Sequence, residues 1–91
     1  MNATARDAPI RIFLVDDHPM IRRGLAAMID GEDDFELVGE ASSGDEAIER
    51  LPATRGANRP DVVLMDLVMP GTDGITAIAR LREALPGTRF V

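Results

Sequence analysis

Apolar and polar positions along the chain alternate between two rhythms. Residues 10–15, "IRIFLV", are apolar apart from Arg11, which predicts a strand buried on both faces of a parallel sheet. Pro19 then stands where a first helical turn tolerates proline. Met20, Ile21, Gly24, Leu25, Met28 and Ile29 recur at three- and four-residue steps, predicting an amphipathic helix that stops at Asp30 and Gly31. Residues 35–40 predict a second strand, shorter and more polar and so nearer a sheet edge. In it Phe35, Leu37 and Gly39 alternate against Glu36, Val38 and Glu40. Ser43 with Glu46 three places later is a capping box, opening a short helix whose apolar face is Ala47, Ile48 and Leu51. A loop rich in Pro, Gly, Asn and Ala covers residues 52–60. Residues 61–66, "DVVLMD", predict the third strand, and "MPGTDG" at 69–74 a loop. Ile75, Ile78, Leu81 and Leu85 predict the next helix, closed by Pro86 and Gly87, and residues 88–91 begin a fourth strand.

The order is βαβαβαβ. Alternation at this spacing implies right-handed crossovers and an α/β, doubly wound parallel sheet with helices on both faces. Residues 1–9 are expected to form a flexible N-terminal tail. Composition sharpens this only slightly. With 45% hydrophobic and 29% charged residues the chain is globular rather than disordered. It has no long apolar run and no signal-peptide pattern, so the expectation is a cytoplasmic protein that does not enter a membrane. The absence of cysteine excludes disulfides and thiolate metal sites. A net charge of −6 argues against this chain gripping nucleic acid through its phosphates. All ten basic residues are arginine, so lysine is absent.

The strands end in carboxylates. Asp16 and Asp17 close the first and Asp66 the third. Ligands of open parallel sheets bind beyond the carboxyl ends of the strands, where strand order reverses. If the first and third strands are neighbours, the three carboxylates meet, and a hard divalent cation would relieve their repulsion. Oxygen-only ligation with room for water favours Mg²⁺ over zinc. Mg²⁺ beside a carboxylate suggests phosphoryl transfer, with one carboxylate as the nucleophile. Asp66 is the best candidate. The loop after it could aim backbone N–H groups at the phosphoryl group, and Val68 could offer its carbonyl to the metal.

"LVDD" at 14–17, "DVVLMDLVMPGTDG" at 61–74 and "ASSGDEAI" at 41–48 together resemble the receiver domain of two-component response regulators. "VDDHPMIRRGL" further resembles the NarL/FixJ-type subfamily, whose members carry a C-terminal helix-turn-helix DNA-binding domain. The resemblance covers residues 10–91. It implies a flavodoxin-like sheet and a signalling module rather than an enzyme, with at most weak self-phosphorylation. It also implies Asp66 as phosphoacceptor, Asp16 and Asp17 as Mg²⁺ carboxylates, Val68 as a carbonyl ligand, and Leu67 as the N–H facing the phosphoryl group. Its phosphoryl donor would be a sensor histidine kinase.

The family pattern also holds a Ser or Thr at the end of the fourth strand and a Lys at the end of the fifth. The chain ends at Val91 and has no lysine. The expectation is therefore an incomplete receiver over residues 10–91, without a DNA-binding domain, that forms a homo-oligomer or element-swapped dimer. The alternative is a phosphorylation-independent interaction fragment that pairs with a kinase or another regulator. A small Mg²⁺-dependent phosphohydrolase fits poorly, because Asp17-His18-Pro19 lacks the DxD-type motif such enzymes carry. His18 reads as a partly exposed residue at the helix start, and Arg22 and Arg23 as solvent-facing. Thr72 and Asp73 read as caps of the third helix.

Overall fold

The structure, a computed structural model, describes residues 8–66 and 74–91. Four parallel strands, β1 (Ile10–Val15), β2 (Phe35–Ala41), β3 (Val62–Met65) and β4 (Arg89–Phe90), form one sheet in the order β2-β1-β3-β4. Helices α1 (Pro19–Asp30), α2 (Gly44–Arg50) and α3 (Gly74–Ala84) make the crossovers. The chain moves from β1 outward to β2, then back past β1 to β3. Right-handed crossovers therefore set α1 on one face and α2 with α3 on the other. The point of reversal lies between β1 and β3, which makes the first and third strands neighbours, the condition on which the meeting of the carboxylates rests.

The inner strand β1 carries the core. Phe13 and Val15 point to the α2–α3 face, where they join Val63, Met65, Ala47, Leu51, Ala77, Leu81 and Leu85. Ile12 and Leu14 point the other way and are equally buried. This double burial is why residues 10–15 read as a continuous apolar run.

Three details depart from the expected pattern. β2 does not alternate: its register with β1 slips between Ile12, paired with Leu37, and Phe13, paired with Gly39, so Val38 is an extra residue. The slip brings Gly39 against the Phe13 ring, and a Cβ at Gly39 would lie 2.6 Å from Phe13 Cε2. The apolar stripe of α1 is mostly open. Only Ile29 is fully buried, and Met20, Ile21 and Met28 are exposed. In α3 the buried line runs through Ala77 and Leu81 to Leu85 just beyond the helix, and Ile75 is exposed. Ala77 is fully buried, a role that apolar periodicity does not reveal.

The helix starts follow local chemistry. Pro19 occupies the first turn of α1, where no N–H is needed. Ser43 Oγ accepts a hydrogen bond from the Glu46 N–H at 3.0 Å, as a capping box demands. The Glu46 carboxylate reaches one residue further back than expected, accepting from Ser42 N–H at 2.7 Å and Ser42 Oγ at 2.9 Å. These two donors hold the Glu46 carboxyl below its ordinary range.

Replacing Gly39 with alanine forces the buried Phe13 ring to move. The expected effect is a loss of about 1–3 kcal/mol in stability, seen as a lower urea midpoint at unchanged slope. An unchanged midpoint would show that β2 carries no such close approach.

Candidate metal centre

The site grows from one register. Val15 pairs with Met65 across β1 and β3, so the residues that follow leave the sheet side by side. Backbone bonds extend the ladder into them: Asp66 N–H donates to Val15 C=O at 3.0 Å, and Asp16 N–H donates to Ala41 C=O at 3.1 Å. Asp16, Asp17 and Asp66 thus meet at the strand ends between β1 and β3, with donor atoms of all three and of His18 within 4.8 Å of one another. Leu67 and Val68, like Met69, Thr72 and Asp73, lie outside the described residues.

Asp16 organises the turn into α1. Its Oδ1 accepts from the His18 N–H at 2.7 Å, the two-residue Asx turn that aspartate favours. The same oxygen faces His18 Nδ1 at 2.9 Å. His18 is the N-cap of α1, but its side chain makes no capping bond. It turns instead toward the carboxylates, with Nδ1 3.0 Å from Asp17 Oδ1 and 3.4 Å from Asp66 Oδ2. One ring N–H serves one acceptor well, and Asp16 has it. Asp17 Oδ1 is buried and has no hydrogen-bond partner despite the short distance. An orphaned carboxylate oxygen is costly, and a cation in the cluster would satisfy it. Three carboxylates at this spacing fit a hard divalent ion such as Mg²⁺.

Arg22 fastens the site from outside. Its Nη1 donates to the Asp16 carbonyl at 2.7 Å, and its Nε lies 3.2 Å from Glu40 Oε1 on β2. The solvent-facing reading of Arg22 is therefore corrected: it ties the start of α1 to two strands, because the first helical turn points it back over the β1 end. Arg23 is exposed, as expected. His18 is half-exposed, also as expected, but its inward ring went unforeseen. The available signal was Asp16 two residues before it, the spacing of an Asx turn.

The His18 pKa is raised above its ordinary value of 6.5. The hydrogen bond to the Asp16 carboxylate is the largest cause, followed by the Asp17 charge. Partial loss of water opposes them, and the Asp16 and Asp66 charges add to the rise. A raised pKa means that protonation favours the folded state. The stability this gives is present in full below the ordinary imidazole range and is lost as pH rises through the folded value.

Among known proteins, the family described as the response regulator receiver domain matches residues 12–91. The chain is 45% identical over 82 residues to the transcriptional regulatory protein LiaR of Bacillus subtilis, covering 90% of this chain and 37% of LiaR. It is 41% identical over 83 residues to the nitrate/nitrite response regulator protein NarL of Escherichia coli, covering 91% of this chain and 37% of that protein. The chain thus spans little more than a third of the length of these curated relatives. Among solved structures, it is similar to the signal receiver domain of the putative response regulator NarL from Mycobacterium tuberculosis. That match has a TM-score of 0.76 and 37% identity, over 90% of this chain and 63% of that one. A LuxR-family two-component response regulator from an Aurantimonas species matches with a TM-score of 0.79 and 36% identity, over 90% of this chain and 56% of that one.

Because His18 is the only histidine, its titration can be followed by proton NMR without assignment. Its midpoint is expected above 6.5 and should fall toward that value in Asp16→Asn. A midpoint at or below 6.5 in the wild type would contradict the inward placement of the ring.

Proposed function

The chain belongs to the response regulator receiver domain family, and on that premise we propose that it is a phosphoacceptor module in which Asp66 takes the phosphoryl group. The observation that carries this reading is the meeting of Asp16, Asp17 and Asp66 at the β1–β3 strand ends around an orphaned Asp17 oxygen. The family is one of signalling modules rather than turnover enzymes, and its phosphoryl donors are histidine kinases.

In the proposed reaction an Asp66 carboxylate oxygen forms a bond to phosphorus. The bond from phosphorus to the donor's imidazole nitrogen breaks, and that nitrogen keeps the electron pair and then takes a proton. Asp16, Asp17 and Asp66, with the Val68 carbonyl, would hold Mg²⁺. When bound, Mg²⁺ offsets the charge of the phosphoryl oxygens. The Asx turn through Asp16 and the Arg22 bond to its carbonyl keep the first two carboxylates aimed at Asp66. The backbone N–H of Leu67 is proposed to face the phosphoryl group.

Transcriptional output, which the name of LiaR carries, is proposed for a longer protein that includes this chain. DNA contact by the chain itself is not part of the proposal, given its net charge of −6. Among the described residues no helix is long and apolar enough to cross a membrane, and a cytoplasmic location is part of the proposal. The second reading is a phosphorylation-independent interaction fragment that pairs with a kinase or another regulator.

Acetyl phosphate with Mg²⁺ separates the two. The wild type should gain the mass of one phosphoryl group and Asp66→Asn should gain none. Failure of both to gain mass favours the interaction fragment, and equal gain in both would move the acceptor away from Asp66.

A further inference from the structure

The phosphoacceptor reading leaves His18 without a role, yet its ring nitrogen sits among the carboxylates that reading uses. Nδ1 lies 2.9 Å from Asp16 Oδ1, 3.0 Å from Asp17 Oδ1 and 3.4 Å from Asp66 Oδ2. The four donor atoms all fall within 4.8 Å of one another. Around a six-coordinate ion with bonds of about 2.1 Å, adjacent ligands stand about 3 Å apart and opposite ones about 4.2 Å. A modest contraction of the cluster would meet that geometry. The buried Asp17 oxygen, which has the His18 ring beside it but no hydrogen-bond partner, marks the side on which the cluster is unsatisfied.

Two features free the imidazole to act as a donor. Its side chain is 54% exposed, so the ring can draw back to admit an ion without disturbing the core. The α1 start does not depend on it, because the His18 backbone N–H is held by Asp16 and the ring makes no capping bond.

We propose that His18 Nδ1 is a fourth protein ligand of this pocket for ions that accept nitrogen, such as Mn²⁺, Co²⁺ and Zn²⁺, and stands aside for Mg²⁺. The inference rests on the pocket being a cation site. Mg²⁺ is hard, holds its waters and prefers oxygen, whereas the borderline ions take imidazole readily. Three carboxylates alone would favour hard ions. Adding one imidazole makes a mixed nitrogen and oxygen set, so a single residue in the β1–α1 turn sets which metals the pocket can choose.

The test uses the full chain uniformly labelled with ¹⁵N, whose imidazole region contains His18 alone. It is run at about pH 8, above the ordinary imidazole range, with Zn²⁺ and Mg²⁺ in parallel. Zn²⁺ should produce a new, slowly exchanging resonance of metal-bound Nδ1, while Mg²⁺ should shift the Asp16 and Asp66 amides without producing that resonance. His18→Ala and His18→Gln should each lose about tenfold or more in Zn²⁺ and Mn²⁺ affinity and keep Mg²⁺ affinity within about twofold. The double variant Asp16→Asn/Asp66→Asn should lose the imidazole response. Unchanged Zn²⁺ affinity in His18→Ala would overturn the proposal, as would coordination at Nε2. A response that survives the double variant would reveal only a surface imidazole and would overturn it too. Mg²⁺ binding with an imidazole silent to Zn²⁺ would sink this inference alone. Binding of neither ion would also remove the cation site beneath it.

Discussion

The parallel pairing of β1 with β3, in the register that sets Val15 beside Met65, is the constraint on which the site depends. It sends two chain segments out of the sheet at one place, each beginning with aspartate. Like charges within 4.8 Å of one another near a protein surface repel by on the order of 3 kcal/mol or more per pair. That is a large share of the roughly 5–15 kcal/mol that holds a domain folded. A cluster of this kind persists only if something offsets it. Among the described residues, His18 supplies an offset, since the three carboxylates favour its protonated ring. The buried Asp17 oxygen, left without a hydrogen bond, shows that the offset is incomplete.

The surrounding structure keeps that pairing rigid. Both inner faces of β1 are packed, with Phe13 and Val15 on one side and Ile12 and Leu14 on the other. Gly39 makes room for the Phe13 ring on the β2 side, and the Arg50 guanidinium sits 5.6 Å from the centre of that ring. At the opposite end of β1, Arg11 bonds to Asp61 just before β3, through its backbone N–H at 2.9 Å and its guanidinium at 3.3 Å. Arg22 closes the other end by bonding the Asp16 carbonyl. The two arginines hold β1 near its start and at its finish, so the carboxylates project from a fixed frame.

Much of this was legible in the sequence. The run from Ile12 to Val15 announced a doubly covered strand, Pro19 and Ser43 announced helix starts, and the aspartates closing two apolar strands announced the site. Features that depend on contacts between distant segments were not legible. The slip that makes Val38 an extra residue arises only when β2 meets Phe13. The open face of α1 looks apolar in sequence because periodicity records which side chains match, not which of them find a partner. The partial exposure of His18 was legible, but the inward turn of its ring was not, because it accompanies an Asx turn, a local hydrogen bond that residue spacing alone does not fix.

The central claim is that the strand-end carboxylates form one cation site, and stability linkage tests it most directly. A ligand that binds only the folded state raises stability with the logarithm of its concentration. The midpoint of thermal unfolding should therefore rise with Mg²⁺ for the wild type and not for Asp17→Asn, whose side chain has lost its negative charge. A wild type indifferent to Mg²⁺, or a variant that responds equally, would contradict the account.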